Sequence, residues 1–413
     1  MNKEIEDYKK FQKRVLLLGI GKAILTSLLV GKLYYLQILN KSKFGRLSET
    51  NRVKVKVLYP ERGIIFDSLG RKIAQNRIDY QITLLKKEKK NIDESIINLK
   101  KIIDISEYDI LQIKKNIKRN NFDDFITIKK NLKWDELEII NYFSHQFPLL
   151  EIKKEKVRSY KNNFAFSHVI GYVGYQTQKK QTKSLPDLKV GKTGIENVYN
   201  KELIGNQGWQ KVESNSSGKI VRNLEMLKST SGKDLKTNLN AEIQEFAYDK
   251  LKKKSASMVL LNCQTGGVIS MLSSPSFDIN EFSYGVRSET WRNLQADIRN
   301  PLLDKSLSGL YSPGSTFKLI VAFLSLQKKN FNSKQRYFCN GHIELGNHKF
   351  HCWKRKGHGL VDLHKAIKES CDCYFYTLAN EIEIDDLAKV ANDFSIGELT
   401  RIDLPNESKG LMP

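Results

Sequence analysis

Two sets of residues have the types and the spacing for chemistry. The first lies in Tyr311-Ser-Pro-Gly-Ser-Thr-Phe-Lys-Leu-Ile-Val-Ala-Phe-Leu324. Pro313-Gly314 breaks regular structure and an apolar helical run follows, which predicts Ser315 at or near a helix N-terminus. Lys318 comes three residues later, on the same face. Free backbone N–H groups and the helix dipole favour negative charge developing there. A lysine held against a hydroxyl in a desolvated cleft can shed its proton and act as a base. The expected chemistry is acyl transfer, with Ser315 as nucleophile and Lys318 as its base. Phe317, Leu319 and Ile320 are expected to bury the helix in the core. Ser-x-x-Lys also occurs in helices that do no chemistry, so the pair needs company. Ser370-Cys371-Asp372 supplies it, ahead of the aromatic run Tyr374-Phe-Tyr376. Ser370 can relay a proton to or from a leaving group, and Asp372 can orient Lys318 or a substrate amide. The plainer role for Ser370 is a helix cap.

The second set is Cys339, Cys352, His358 and Cys371, spaced C-x12-C-x5-H-x12-C. Three thiolates and one imidazole suit a tetrahedral, structural zinc. A Cys339–Cys352 disulfide is the rival in an oxidising compartment. His351 and Cys373 are alternative ligands. Cys263 stands apart and is expected to be a small buried residue.

These sets must be carried by ordered elements, and the 413-residue chain is long enough for two or three domains. Val15–Leu39 is a 25-residue apolar run, about 37 Å as a helix against a bilayer core of about 30 Å. Lys9, Lys10, Lys13 and Arg14 precede it, which favours a cytoplasmic N-terminus. No A-x-A cleavage site follows, so an uncleaved anchor is expected over a signal peptide. Lys22 is the weak point, because a lysine within a span costs about 2.5–3.5 kcal/mol at its centre. The alternative is a buried helix of a soluble protein.

Arg52–Leu58 alternates strictly and predicts a strand with one buried face. Asp67–Gly70 predicts a turn between strands and Asp79–Leu85 a second short strand. From about 91 to 148 the pattern turns helical, with Ile96, Leu99 and Ile103 on one face and Asp93 and Ser95 as caps. Strand-like segments return near Ser167–Tyr175 and Trp209–Asn223. A second domain opens near Leu235. Asn240–Lys254 predicts a helix with Ile243, Phe246, Ala247 and Leu251 facing inward. Ser257–Leu261, a Thr265-Gly-Gly267 turn and Val268–Leu272 predict a β-hairpin, so the fold class is α+β. The expected domains are a cytoplasmic tail (1–14), an anchor (15–39), a β-rich pedestal with a helical insertion (40–234) and a catalytic domain (235–413). The net charge of +23 raises nucleic acid as a partner. The lysines are spread along the chain without any nucleic-acid motif, so attraction to anionic membrane and wall polymers is expected instead.

Ser-x-x-Lys is one of the motifs of penicillin-binding proteins and class A β-lactamases, and further segments narrow the resemblance. Gln37, Asn51-Arg52, Arg62-Gly-Ile-Ile-Phe-Asp-Ser-Leu-Gly70, His168-Val-Ile-Gly-Tyr-Val-Gly174 and Gly191-Lys-Thr-Gly-Ile-Glu196 follow in order, with Tyr199 and Leu203 beyond. Ser257–Pro275, Gly357-His-Gly359 and Ser370-x-Asp372 complete the series. Over nearly its whole length the chain resembles the class B penicillin-binding proteins of the elongation type, penicillin-binding protein 2. The resemblance implies a partial transpeptidase domain of the serine β-lactamase-like fold. It implies a peptidoglycan D,D-transpeptidase that forms a Ser315 acyl-enzyme from D-Ala-D-Ala stem peptides and is acylated by β-lactams. It implies an inner-membrane, single-pass protein with its catalytic domain in the periplasm. SEDS-type glycan polymerases and elongation-complex membrane proteins are the implied partners. It also implies that Cys371, the middle residue of Ser-x-Asp, points away from the cleft towards the other three zinc ligands. Some relatives hold zinc there with two carboxylates in place of cysteines. Gly191-Lys-Thr-Gly194 precedes Ser315 and belongs to the pedestal. No K-T-G or K-S-G follows Ser370, and the chain ends at Pro413 where the family continues. A truncated product, inactive alone, is therefore expected. The alternatives are a non-catalytic scaffold or regulator of a glycan polymerase, and a β-lactam sensor or β-lactamase.

Overall fold

The computed structural model describes residues 2–42, 52–85, 96–105, 110, 113, 125–147, 150–175, 188–214 and 220–412. The chain forms two compact units, one from Met1–Glu61 with Gly205–Gly232 and one from Arg62–Ile204 with Lys233–Pro413.

In the first unit, helix α1 (Asn2–Tyr34) continues as one π-helical turn to Leu39. Lys13–Leu39 is long and apolar enough to cross a membrane, and none of the described residues covers it. Strand β1 (Val53–Leu58) pairs antiparallel with β8 (Gly208–Ser214), and β8 with β9 (Ile220–Leu227). The alternation in β1 predicts one buried face. Val212 on the central strand is buried, but Val55 is 61% exposed and β9 is exposed throughout. A sheet three strands wide shields its middle strand and leaves its edges to solvent.

The second unit begins with β2 (Ile65–Phe66), β3 (Lys72–Leu85), β4 (Phe125–Lys129) and β5 (Leu150–Tyr160). β3 and β5 pair from Ala74↔Tyr160 to Leu84↔Leu150. The predicted Asp67–Gly70 turn is present. The Asp67 carboxylate accepts the backbone N–H groups of Leu69 (2.9 Å) and Arg71 (2.7 Å) and pairs with the Arg71 guanidinium. Asp79–Leu85 is the far end of β3, not a separate strand. In the region predicted helical, Ile96, Leu99 and Ile103 are buried together, and α2 (Trp134–Tyr142) follows. The caps Asp93 and Ser95 lie outside the described residues. β4 corrects the helical expectation. Its β-branched Ile126 and Ile128 alternate into the same core, a period-2 pattern that a helix cannot present. Residues 161–170 are turns, so in the predicted Ser167–Tyr175 strand only β6 (Val173–Tyr175) is extended, paired with β7 (Lys189–Gly191).

A buried ion network ties this half together. Glu196 is fully buried, and its two oxygens take Arg62 Nε (2.6 Å) and Arg158 Nε (2.7 Å). Gly194 (φ 58°) lies so close to Ile170 and Gly171 that an added Cβ would meet backbone at 2.6 Å. The Gly191-Lys-Thr-Gly194 element is thus packed against this half and takes no part in the Ser315 cluster.

The other half starts with β10 (Leu235–Lys236), which pairs with β2, and α3 (Ala241–Leu251), capped by Asn240. β11 (Ala256–Leu261) and β12 (Val268–Ser274) form the expected hairpin. Two expectations are corrected here. The buried face of α3 is Ala241, Gln244 and Ala247, while Phe246 is 65% exposed. Gln244 is tolerated at 0% exposure because its amide is fully used. It donates to Ala165 O and Met271 O and accepts from Ser270 Oγ and the Met271 N–H. Cys263 is exposed, because it sits in the hairpin connection and not on a strand face. One core joins Ile65, Ile73, Phe166 and Ile170 to Met271, Phe277 and Ile279. A second gathers α4 (Lys318–Gln327), β13 (Tyr337–Cys339), β16 (Gly359–Val361), α5 (Leu363–Lys368) and α6 (Asp372–Ala379) around buried Tyr374. Between β13 and β16, β14 (His342–Leu345) and β15 (His348–His351) form a separate hairpin.

Candidate active site and metal cluster

The N-terminus of α4 is preceded by one 3-10 turn, Gly314–Phe317. Gly314 adopts φ 56°, which is open to glycine without strain. Ser315 therefore lies in the turn and Lys318 opens the α-helix. Ile320, Val321, Ala322 and Leu324 bury the helix, and Phe317 packs partly. Leu319, expected in the core, is 56% exposed, because it falls on the opposite face from Ile320 and Leu324.

Ser370 reaches this turn from 55 positions away in sequence, and its Oγ donates to Ser315 Oγ at 2.9 Å. It holds φ 51°, a left-handed conformation that costs a non-glycine residue energy and clusters at functional sites. Lys318 Nζ donates to Ser370 O (2.9 Å), Ser370 Oγ (3.0 Å) and Asp372 Oδ1 (2.5 Å). The three protons of an ammonium are thereby used. Among the described residues, Ser315 and Lys318 have no direct hydrogen bond; Ser370 Oγ stands between them. The i,i+3 spacing places the pair on one face, and the fold inserts a third group. Ser370 is not the N-cap of α6; Cys371 is.

The other Asp372 oxygen accepts the Trp353 backbone N–H at 2.8 Å. Burial pushes the Asp372 carboxyl up, but Lys318 and the Trp353 N–H outweigh it and hold the group below the usual carboxylate range. The Trp353 indole N–H donates to Glu369 O at 3.0 Å. Sequence reasoning misses Trp353; its one signal is adjacency to Cys352.

Cys339, Cys352, His358 and Cys371 meet in one buried cluster, their ligand atoms all within 4.8 Å of one another. All five cysteines are free thiols. His358 Nδ1 lies 3.6 Å from Cys339 Sγ and 3.5 Å from Cys352 Sγ. For Zn–S of about 2.3 Å and Zn–N of about 2.0–2.1 Å, the edge of a tetrahedron is about 3.6 Å. The donor set therefore fits zinc in chemistry, and the two edges from His358 to Cys339 and Cys352 fit it in size. Cys371 is fully buried and shares this cluster, while its neighbours Ser370 and Asp372 serve the Lys318 site. His358 Nε2 is 3.9 Å from Glu369 Oε2. Burial pushes the Cys339 thiol up, but hydrogen bonds, chiefly from His358, bring it down to about 6. Burial pushes Cys371 up to about 12. Of the alternative ligands, Cys373 is buried beside Cys339, and His351 is exposed on β15. Gly357 (φ 78°) lets β13 approach: a Cβ there would lie 2.1 Å from Cys339 O.

The penicillin-binding protein dimerisation domain model matches residues 57–237, and the penicillin-binding protein transpeptidase domain model matches 256–413. The chain is 34% identical to the peptidoglycan D,D-transpeptidase MrdA of Acinetobacter baumannii, over 100% of this chain and 62% of that protein. It is 32% identical to MrdA of Escherichia coli K12, over 98% of this chain and 65% of that protein. The chain thus spans just under two thirds of the length of these two relatives. The structure of Helicobacter pylori PBP2 in complex with MreC superposes with a TM-score of 0.72 at 30% identity. That match covers 87% of this chain and 68% of the other. With both domain models in order and these relatives along it, the chain belongs to the penicillin-binding proteins of the PBP2 type, a family of serine D,D-transpeptidases.

Proposed function

We propose that this chain carries the acyl-transfer half-site of an elongation-type peptidoglycan D,D-transpeptidase, with Ser315 as nucleophile. The observation that carries this reading is the hydrogen-bonded row Ser315–Ser370–Lys318–Asp372. In it, Lys318 Nζ lies within hydrogen-bond reach of Ser370 and Asp372. As the neutral amine, it can take the Ser315 proton through Ser370 Oγ as Ser315 Oγ attacks the penultimate D-Ala carbonyl. The proton then returns along the same row to the departing D-alanine amine. Asp372 holds the amine in line and Trp353 holds Asp372.

Oxyanion stabilisation and recognition of the substrate carboxylate need further donors, and no K-T-G follows Ser370 within these 413 residues. We infer that the 413-residue chain alone does not complete acylation. A fluorescent β-lactam tests both statements. The expected result is background labelling of this chain and stoichiometric, Ser315-dependent labelling once a relative's C-terminal transpeptidase segment is appended. Stoichiometric labelling of the 413-residue chain overturns the inactivity. A folded, completed chain that stays unlabelled overturns the transpeptidase reading and favours a scaffold. Rapid release of bound label favours a β-lactamase.

The same reading gives Cys339, Cys352, His358 and Cys371 a zinc ion, which would supply a rigid cross-link and no catalysis. Zinc near one per folded chain, lost in Cys352→Ala, is expected; a value near zero in folded protein ends it. Lys13–Leu39 would anchor the chain in the inner membrane with the catalytic half in the periplasm. The MreC complex of the H. pylori relative supports elongation-complex membrane proteins as partners. A glycan polymerase is a further proposed partner. Protease protection in inverted vesicles tests the orientation, and co-purification tests the partners.

A further inference from the structure

The hairpin β14–β15 lies in sequence between two ligands of the buried cluster, Cys339 and Cys352. Its inner face is anchored. Ile343 packs on the core beneath, and Phe350 meets Tyr376 with ring centroids 5.9 Å apart. The Cys352 N–H donates to Gly341 O at 2.9 Å and closes the base of the hairpin. Side chains alternate across a strand, so the other face carries His342 directly opposite His351 and Glu344 opposite Lys349.

The two imidazoles lie side by side across the strands, within reach of a shared ion once their ring nitrogens turn to face it. At a metal–nitrogen distance of about 2.0–2.1 Å, two histidines on one ion have ring centroids about 5–6 Å apart. The observed separation is 5.9 Å, with ring planes 47° apart. Glu344 Oε1 is 3.6 Å from His342 Nε2, on the same face. Two imidazoles and a carboxylate are the donors of zinc-class transition metals, and exposure leaves coordination positions for water. The cations facing the site are Lys349, which holds Glu344 Oε1 at 2.8 Å, and Arg355.

We propose that the outer face of this hairpin is a second, exposed site for a divalent transition metal, ligated by His342, His351 and Glu344. It shares no ligand with the cysteine cluster. Binding joins the two strands that lead into Cys339 and Cys352, and it displaces Lys349 from Glu344. Lys349 and Arg355 keep the affinity below that of the buried cluster.

Equilibrium dialysis of the full 413-residue chain in detergent against zinc tests the site. The expected stoichiometry is two ions per chain, the second bound at least tenfold more weakly than the first. His342→Ala with His351→Ala removes the weak ion and keeps the tight one. Cys352→Ala does the reverse. Lys349→Ala tightens the weak ion several-fold. Near-ultraviolet circular dichroism of each variant reports folding; His351 and Lys349 are exposed and His342 is half-buried. The proposal is overturned if binding stops at one tight ion, or if the weak ion persists in the double histidine variant. A weak ion that depends on His342 and His351, with no tight ion, upholds this site and defeats the buried zinc instead.

Discussion

Two carboxylates in the second unit each join segments far apart in sequence, and they are built differently. Glu196 is fully buried between two guanidinium groups, 134 and 38 positions away, and meets no solvent. The Asp372 side chain is 20% exposed and Lys318 15%, and the row they begin ends at a serine hydroxyl open to solvent. Arginine is a permanent, planar charge that suits a static clamp. Lysine is a point charge that can lose its proton when its surroundings change. The Glu196 clamp uses the first, and the row proposed to react uses the second. On the proposed function, the network that only holds is closed and Arg-based, and the one that reacts is open and Lys-based.

The clamp is where the comparison is most easily broken. Glu196→Ala leaves Arg62 and Arg158 buried without a counter-charge. It should cost about 3–5 kcal/mol in denaturant melts of the soluble portion. A loss below about 1 kcal/mol would mean that the network does not hold the fold. Lys318→Ala should cost less, about 1–2 kcal/mol after allowing for partial exposure. It should also reduce β-lactam labelling of the completed chain to background. If it matched Glu196→Ala in stability, the distinction between clamp and reactive row would fail.

Acid should act on a third carboxylate, Asp67, whose side chain is buried. Burial pushes it up, but the N–H groups of Arg71, Ala241 and Leu69 and the Arg71 guanidinium outweigh that and lower it. Its contribution is therefore present above the ordinary carboxylate range. It is lost as pH falls through the lowered folded value. Asp67→Asn should flatten that acid limb of the stability profile; an unchanged limb refutes the assignment. Smallest of all is Ser315→Ala, within about 0.5 kcal/mol of the parent because Ser315 is exposed. Labelling of the completed chain should nonetheless vanish. A large stability loss here would show that Ser315 is structural.

Much of the candidate site is legible in the amino-acid sequence. Ser315 and Lys318 are set by a local break and a helical period. The four candidate metal donors are rare residue types that stand out by chemistry. The positions that a sequence reading misplaces depend on partners distant along the chain. Gln244 is not among the residues predicted to face inward from its helix, and it is buried because Ala165, Ser270 and Met271 converge on its amide. Phe125–Lys129 reads as helical, and it is a strand because β3 offers it a ladder. Cys263 reads as a core residue and lies in a connection.

The residue types and spacings alone determined which groups can react, because nucleophile, base and metal donors are properties of side chains and short segments. Only tertiary structure decided how they are wired. It brought Ser370, in a left-handed conformation, between Ser315 and Lys318. It set the Trp353 N–H on Asp372 and split Ser370-Cys371-Asp372 between two sites. The physical reason is that hydrogen bonds and burial are satisfied across 19 to 55 positions of chain in this site. No local pattern encodes which distant donor will arrive.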